Sequence, residues 1–192
     1  MRDRITDIIL ESIHVKEQLL HTCLGQIKDI ADIMIEALKK NGKVILFGNG
    51  GSAADSQHIA AEFVGRFKKD RTPLAAIALT TNSSVLTSLA NDYGYEVVFA
   101  KQIEALGQKN DVAVGISTSG KAKNVTLGIK QAKKMGIRTV VLTGGDGGEL
   151  EKLADTALVV PSNITARIQE AHITIGHVIC ELVEQTLCQD QK

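Results

Sequence analysis

A chain of 192 residues, 44% of them hydrophobic, has the length for one domain with a substantial core. Its 22 Lys and Arg are matched by 22 Asp and Glu, which argues against nucleic acid as a partner, because phosphate-backbone binding draws on a basic surface. No apolar run approaches the roughly 20 residues that span a membrane, and the charged start MRDRITDIILESI lacks a signal-peptide pattern. A cytoplasmic protein is expected, with Cys23, Cys180 and Cys188 reduced, since they are odd in number and lack metal-ligand spacing.

Residues 1–40 carry helical spacing and no strand signal. Ile27, Ile30, Ala31, Met34, Ile35 and Leu38 form one stripe, and Ile5, Ile8, Ile9 and Ile13 form a looser one. Two helices are expected, with a break near Gly25 and a stop at Asn41–Gly42. Such an arm ahead of an α/β core either assembles subunits or covers one sheet face.

From residue 43 the pattern alternates. Short, continuous apolar runs occur at Lys43–Phe47, Leu74–Leu79, Val112–Ile116, Thr139–Leu142 and Thr156–Val160. Runs of this kind read as parallel strands covered on both faces. Helical patterns fill the intervals at about 52–67, 83–91, 95–107, 121–135 and 147–154, and a last helix spans about 165–188. This alternation predicts a doubly wound α/β sandwich with a five-stranded parallel sheet. Ligands bind such sheets beyond the carboxyl ends of the strands.

The conspicuous polar segments fall there. Gly48–Ser52 (GNGGS) follows the first strand, Ser117–Gly120 (STSG) follows the third, and Asn91–Asp92 closes the helix after the second. Hydroxyls and free N–H groups at a helix N-terminus suit a phosphate, whereas the bland alternative for STSG is a helix cap. GNGGS has neither the dinucleotide nor the P-loop spacing, so no nucleotide cofactor is implied. Gly144–Gly148 (GGDGG) lacks an acidic calcium loop and reads as a flexible loop at a strand end.

His58 and Glu62, four residues apart, leave one helix face one turn above the other. In the last helix Gln169 and His177 are eight residues apart, about 80° and roughly 12 Å. They share a broad face but meet only through something between them, or act in different subunits. His58, Glu62, Gln169 and His177 form a four-ligand set for a divalent metal, with imidazole suiting zinc. The same groups would serve equally as an acid/base pair without metal. His172, about 140° around from His177, reads as structural.

These segments resemble the sugar isomerase (SIS) domain family, and more narrowly the phosphoheptose isomerases. The resemblance covers nearly the whole chain and rests on GNGGSAADSQHIAAEFVGRF at 48–67, ANDYGYEVVFAKQIEALG at 90–107, GISTSGKAKNV at 115–125, LTGGDGG at 142–148 and RIQEAHITIGH at 167–177. It implies a single SIS domain over 1–192: a flavodoxin-like three-layer sandwich with a helical arm at 1–40 and the core at 41–192. It also implies a homotetramer with shared active sites, and conversion of sedoheptulose 7-phosphate to D-glycero-D-manno-heptose 7-phosphate, which begins activated-heptose synthesis for bacterial surface glycans. Asn49, Gly50, Gly51, Ser52, Glu62, Asn91, Asp92, Ser117, Thr118, Ser119 and Gln169 would contact substrate. His58, Glu62, Gln169 and His177 would hold zinc, and Glu62 and His177 would be the acid/base pair. One departure stands out: many members carry serine two residues after the STSG glycine, where this chain has Ala122. Related scaffold proteins that bind the replication initiator lack the counterparts of Glu62 and His177, both present here. Isomerases of other sugar phosphates are disfavoured by Gln169 and His177. A regulator is disfavoured because residues 1–40 lack the size and basic charge of a helix-turn-helix domain.

Overall fold

The computed structural model describes residues 1–188. Five parallel strands form one sheet: β1 (Val44–Gly48), β2 (Ala76–Ala78), β3 (Val112–Ile116), β4 (Arg138–Gly144) and β5 (Thr156–Val160), in the order β2-β1-β3-β4-β5. Alternate strand residues face opposite layers. Val44, Leu46, Val112, Val114, Val140, Leu142, Leu158 and Val160 pack against helices α1 (Arg2–Thr22), α2 (Leu24–Lys39), α3 (Gly51–Val64) and α8 (Thr165–Leu187). Ile45, Phe47, Ala113 and Val141 pack against α4 (Ser83–Tyr93), α5 (Val98–Leu106), α6 (Lys123–Lys134) and α7 (Gly148–Leu153). Burial on both faces is why the strands read as unbroken apolar runs. The expected α/β three-layer sandwich with a helical N-terminal arm is the observed fold.

The boundaries moved for physical reasons. The expected strand over 74–79 shrinks to β2, an edge strand bonded only to β1 and preceded by Pro73. The expected strand over 139–142 extends to β4, which has a partner on each side. The arm breaks at Cys23 rather than Gly25. Asn41 then turns the chain with φ 57°, a left-handed conformation that asparagine tolerates.

Strand order reverses between β1 and β3, so their carboxyl ends mark the crevice of the sheet. Gly48 and Ile116 are register partners there, and GNGGS and STSG leave these strands side by side. A Cβ on Gly48 would come within 2.7 Å of the Ile116 carbonyl oxygen, which explains glycine at the exit of β1.

Candidate active site

Helices α3 and α8 lie side by side in matched order: Gly51 against Gln169, His58 against His177, Ile59 against Gly176. Gly176 allows this approach, since a Cβ there would lie 2.6 Å from Ile59 Cδ1. The seam carries the polar groups read from the sequence. His58 Nε2 is 2.9 Å from His177 Nε2 and 3.3 Å from Glu62 Oε1. Single ligand atoms from His58, Glu62 and His177 all fall within 4.8 Å of one another. Phe67 packs against His177, with ring centroids 5.5 Å apart.

This donor set fits a zinc ion. Two ligands on a tetrahedral zinc stand about 3.3 Å apart, given Zn–N distances of about 2.0–2.1 Å; the His58–Glu62 separation is 3.3 Å and the His58–His177 separation, at 2.9 Å, is somewhat shorter. Two imidazole nitrogens and a carboxylate oxygen are the donors zinc takes in catalytic sites.

Gln169 does not join this cluster directly. Its carboxamide lies flat over Gly51, close enough that a Cβ on Gly51 would overlap it. Asp55 is 7% exposed, and its Oδ2 has no partner. Burial pushes its carboxyl pKa up, while the Gln169 hydrogen bond and the charge of His58 pull it down. Asp55 escaped the sequence reading, although its spacing from Ser52 and His58 on α3 put it on a shared face.

At the crevice, α3 starts at Gly50 (φ 55°) and α6 at Ala122, and neither start is capped by a side chain. The helix-cap alternative for STSG therefore fails: Ser119 Oγ instead accepts from Lys121 N at 3.3 Å. Ser52 and Ser117 are each 6% exposed, Thr118 is half-buried, and Ser119 is exposed. Asn49 exchanges reciprocal 2.8 Å amide hydrogen bonds with Asn124, and its Oδ1 also accepts from Tyr95 at 3.1 Å. Neither Asn124 nor Tyr95 was singled out from sequence. Asn91 and Asp92 lie exposed in the last turn of α4 and bond to each other at 2.9 Å.

GGDGG is a loop at a strand end but a packed one. Leu150 N donates to Gly120 O, and a Cβ on Gly120 would strike the Gly147 carbonyl. Lys121, beside the departing Ala122, forms a 3.0 Å exposed pair with Asp146. His172 is fully buried, bonds the Thr143 carbonyl at 3.1 Å and has its pKa pushed down to about 4 by burial, in keeping with a structural role.

The family model for the SIS domain matches residues 10–144. Over 189 residues, 98% of this chain and 99% of the other, the chain is 53% identical to a protein of Aquifex aeolicus named phosphoheptose isomerase. The chain belongs to the SIS domain family, among the phosphoheptose isomerases. This SIS domain superposes on the phosphoheptose isomerase structure from Neisseria gonorrhoeae with a TM-score of 0.91 at 42% identity, covering 96% of this chain and 98% of that one. For the Francisella tularensis structure the values are 0.92 and 35%, with 95% and 97% covered. The sugar isomerase domain of a Sphaerobacter thermophilus transcription factor, at 17% identity and a TM-score of 0.61, shares the fold alone.

Proposed function

We propose that this chain is an aldose–ketose isomerase that converts sedoheptulose 7-phosphate to D-glycero-D-manno-heptose 7-phosphate, the opening step of activated-heptose synthesis. The observation that carries the reading is the convergence of His58, Glu62 and His177 on one seam, in a chain whose full-length relatives bear the phosphoheptose isomerase name. That convergence also weighs against the scaffold reading, which needs neither Glu62 nor His177.

In the proposed mechanism the phosphate sits at the paired turns after β1 and β3. Backbone N–H groups of Asn49, Gly50 and Gly51 and hydroxyls of Ser52, Ser117, Thr118 and Ser119 would hold it. The Asn49 side chain, already engaged by Asn124 and Tyr95, fixes the turn. Glu62 takes the C1 proton of the open-chain ketose and returns it to C2, passing through an enediol. His177 moves a proton between the two substrate oxygens. Asn91 and Asp92 would contact the sugar hydroxyls. His58, Glu62, Gln169 and His177 would hold one zinc per subunit; zinc, when bound, polarises the carbonyl oxygen.

An exposed apolar face on the arm (Ile5, Ile9, Leu10, Leu20, Leu24) supports a homotetramer with shared active sites. A cytoplasmic location is supported by three free cysteines and by the lack, among the described residues, of a helix able to cross a membrane. The balanced charge continues to argue against nucleic acid.

The test is an assay with sedoheptulose 7-phosphate, with chelator and with added zinc. Turnover lost on chelation and restored by zinc supports isomerase and metal together. Turnover indifferent to chelation leaves the isomerase and removes the metal. No turnover overturns the assignment.

A further inference from the structure

Two turns from different strands face the crevice, and an anion held by both needs them at one fixed separation. Each turn is closed within itself: Ser52 N donates to Asn49 O at 3.0 Å, and Gly120 N donates to Ser117 O at 3.1 Å. Between the turns stands a pair of carboxamides. Asn124, 4% exposed in the first turn of α6, donates from Nδ2 to Asn49 Oδ1 and accepts at Oδ1 from Asn49 Nδ2, both at 2.8 Å. The main-chain N–H of Val125, which can only donate, meets Asn124 Oδ1 at 2.9 Å and so fixes which way that amide faces. The Tyr95 hydroxyl donates to Asn49 Oδ1 at 3.1 Å, so both lone pairs of that oxygen are engaged. A buried polar network whose members are satisfied is rigid.

We propose that Asn124 is a positioning residue: through the Asn49 side chain it holds the GNGGS turn at a fixed distance from the STSG turn, so that both grip one phosphate. The proposal rests on the isomerase reading above and deepens it. Asn124 stands at the crevice, whereas Glu62 and His177 stand on the seam of α3 and α8. Its replacement therefore loosens the anchor of the substrate and leaves the acid/base pair in place. Binding that ground state and transition state share appears in KM, with kcat unchanged.

The experiment is a double-mutant cycle of Asn124→Ala and Asn49→Ala, run well below the melting temperature of each variant. Two quantities are read: the dissociation constant of inorganic phosphate by titration calorimetry, and kcat and KM for sedoheptulose 7-phosphate. Asn124→Ala should weaken phosphate binding and raise KM about tenfold, the scale of one or two neutral hydrogen bonds. Its kcat should change by less than about threefold. On the Asn49→Ala background the same change should alter phosphate affinity and KM by less than about twofold. Asn124→Ser, whose side chain is too short to bridge to Asn49, repeats the cycle should the alanine variant fold poorly. A lower melting temperature with phosphate affinity and KM unchanged marks a merely structural asparagine and overturns the proposal. A fall in kcat with KM unchanged overturns it too, as does a full-sized effect without the Asn49 side chain. If the unmodified protein binds phosphate but never turns over, the isomerase reading fails and the phosphate cycle still decides the role of Asn124. If it turns over but binds no inorganic phosphate on its own, the KM cycle decides.

Discussion

At the scale of single residues, the seam separates chemistry from placement. Glu62 is half-buried, its carboxylate 3.3 Å from His58 Nε2, on a helix whose packing does not depend on its charge. Glu62→Gln should keep the fold and lower isomerisation by about 10²- to 10⁴-fold, the usual worth of a positioned acid or base; single-turnover kinetics beside a far-UV spectrum check both halves. Gly51 tests placement. Gly51→Ala puts a methyl where the Gln169 carboxamide lies, while the helix start accepts alanine without a left-handed φ. The expected result is kcat/KM reduced about tenfold or more with little loss of melting temperature, in line with roughly 1 Å displacements at reacting centres. A melting temperature that falls with activity intact would contradict this account of Gly51.

At the scale of elements, the segment between α3 and β2 is pinned to α8 by one buried carboxylate. Glu184 accepts the N–H groups of Phe67, Lys68 and Lys69 at 2.8 to 3.0 Å and pairs with Arg71 Nε at 2.9 Å. Arg71 and Glu184 side chains are 4% and 2% exposed. The clip holds Phe67 where its ring meets His177. Burial alone would raise the Glu184 pKa, but the three N–H groups and Arg71 outweigh it and hold the value at about 2, below its ordinary 4.5. A depressed carboxylate pKa stabilises the fold above the unfolded value, and that contribution drains away as pH falls from about 4.5 to about 2. Glu184→Gln should therefore cost about 3–5 kcal/mol near neutral pH, because Arg71 is left buried without its partner. The gap between variant and parent should close as pH drops through that window, as followed by denaturant titration at several pH values.

At the scale of the whole molecule, the arm carries more apolar surface than its own fold covers. Only Val15 and Leu19 of α1 are buried, while Ile5, Ile9, Leu10 and Leu20 are each more than half exposed. Exposed apolar faces of this extent mark association surfaces. If the arm builds the proposed tetramer, Leu20→Asp together with Leu24→Asp should give smaller species in light scattering, with activity falling alongside if subunits share sites. A monomer with full activity would separate assembly from catalysis.

Much of this was readable from residue order. Continuous apolar runs such as Val112–Ile116 and Thr156–Val160 announced buried parallel strands because both faces are covered, and no tertiary detail is needed to see it. His58 and Glu62 were legible because helix geometry alone sets residues four apart side by side. The edge strand was overdrawn at 74–79, since only Ala76–Ala78 find register partners on β1. Asn124 and Glu184 looked ordinary in sequence, because their meaning comes from partners 75 and 113 residues away. Local periodicity, backbone geometry and composition act over a few residues, so the layers, the crevice and the candidate acid and base are legible in residue order alone. Which His meets which, where Gln169 rests and which carboxylate is left without a partner are set by the packing of α3 on α8, which no local pattern encodes.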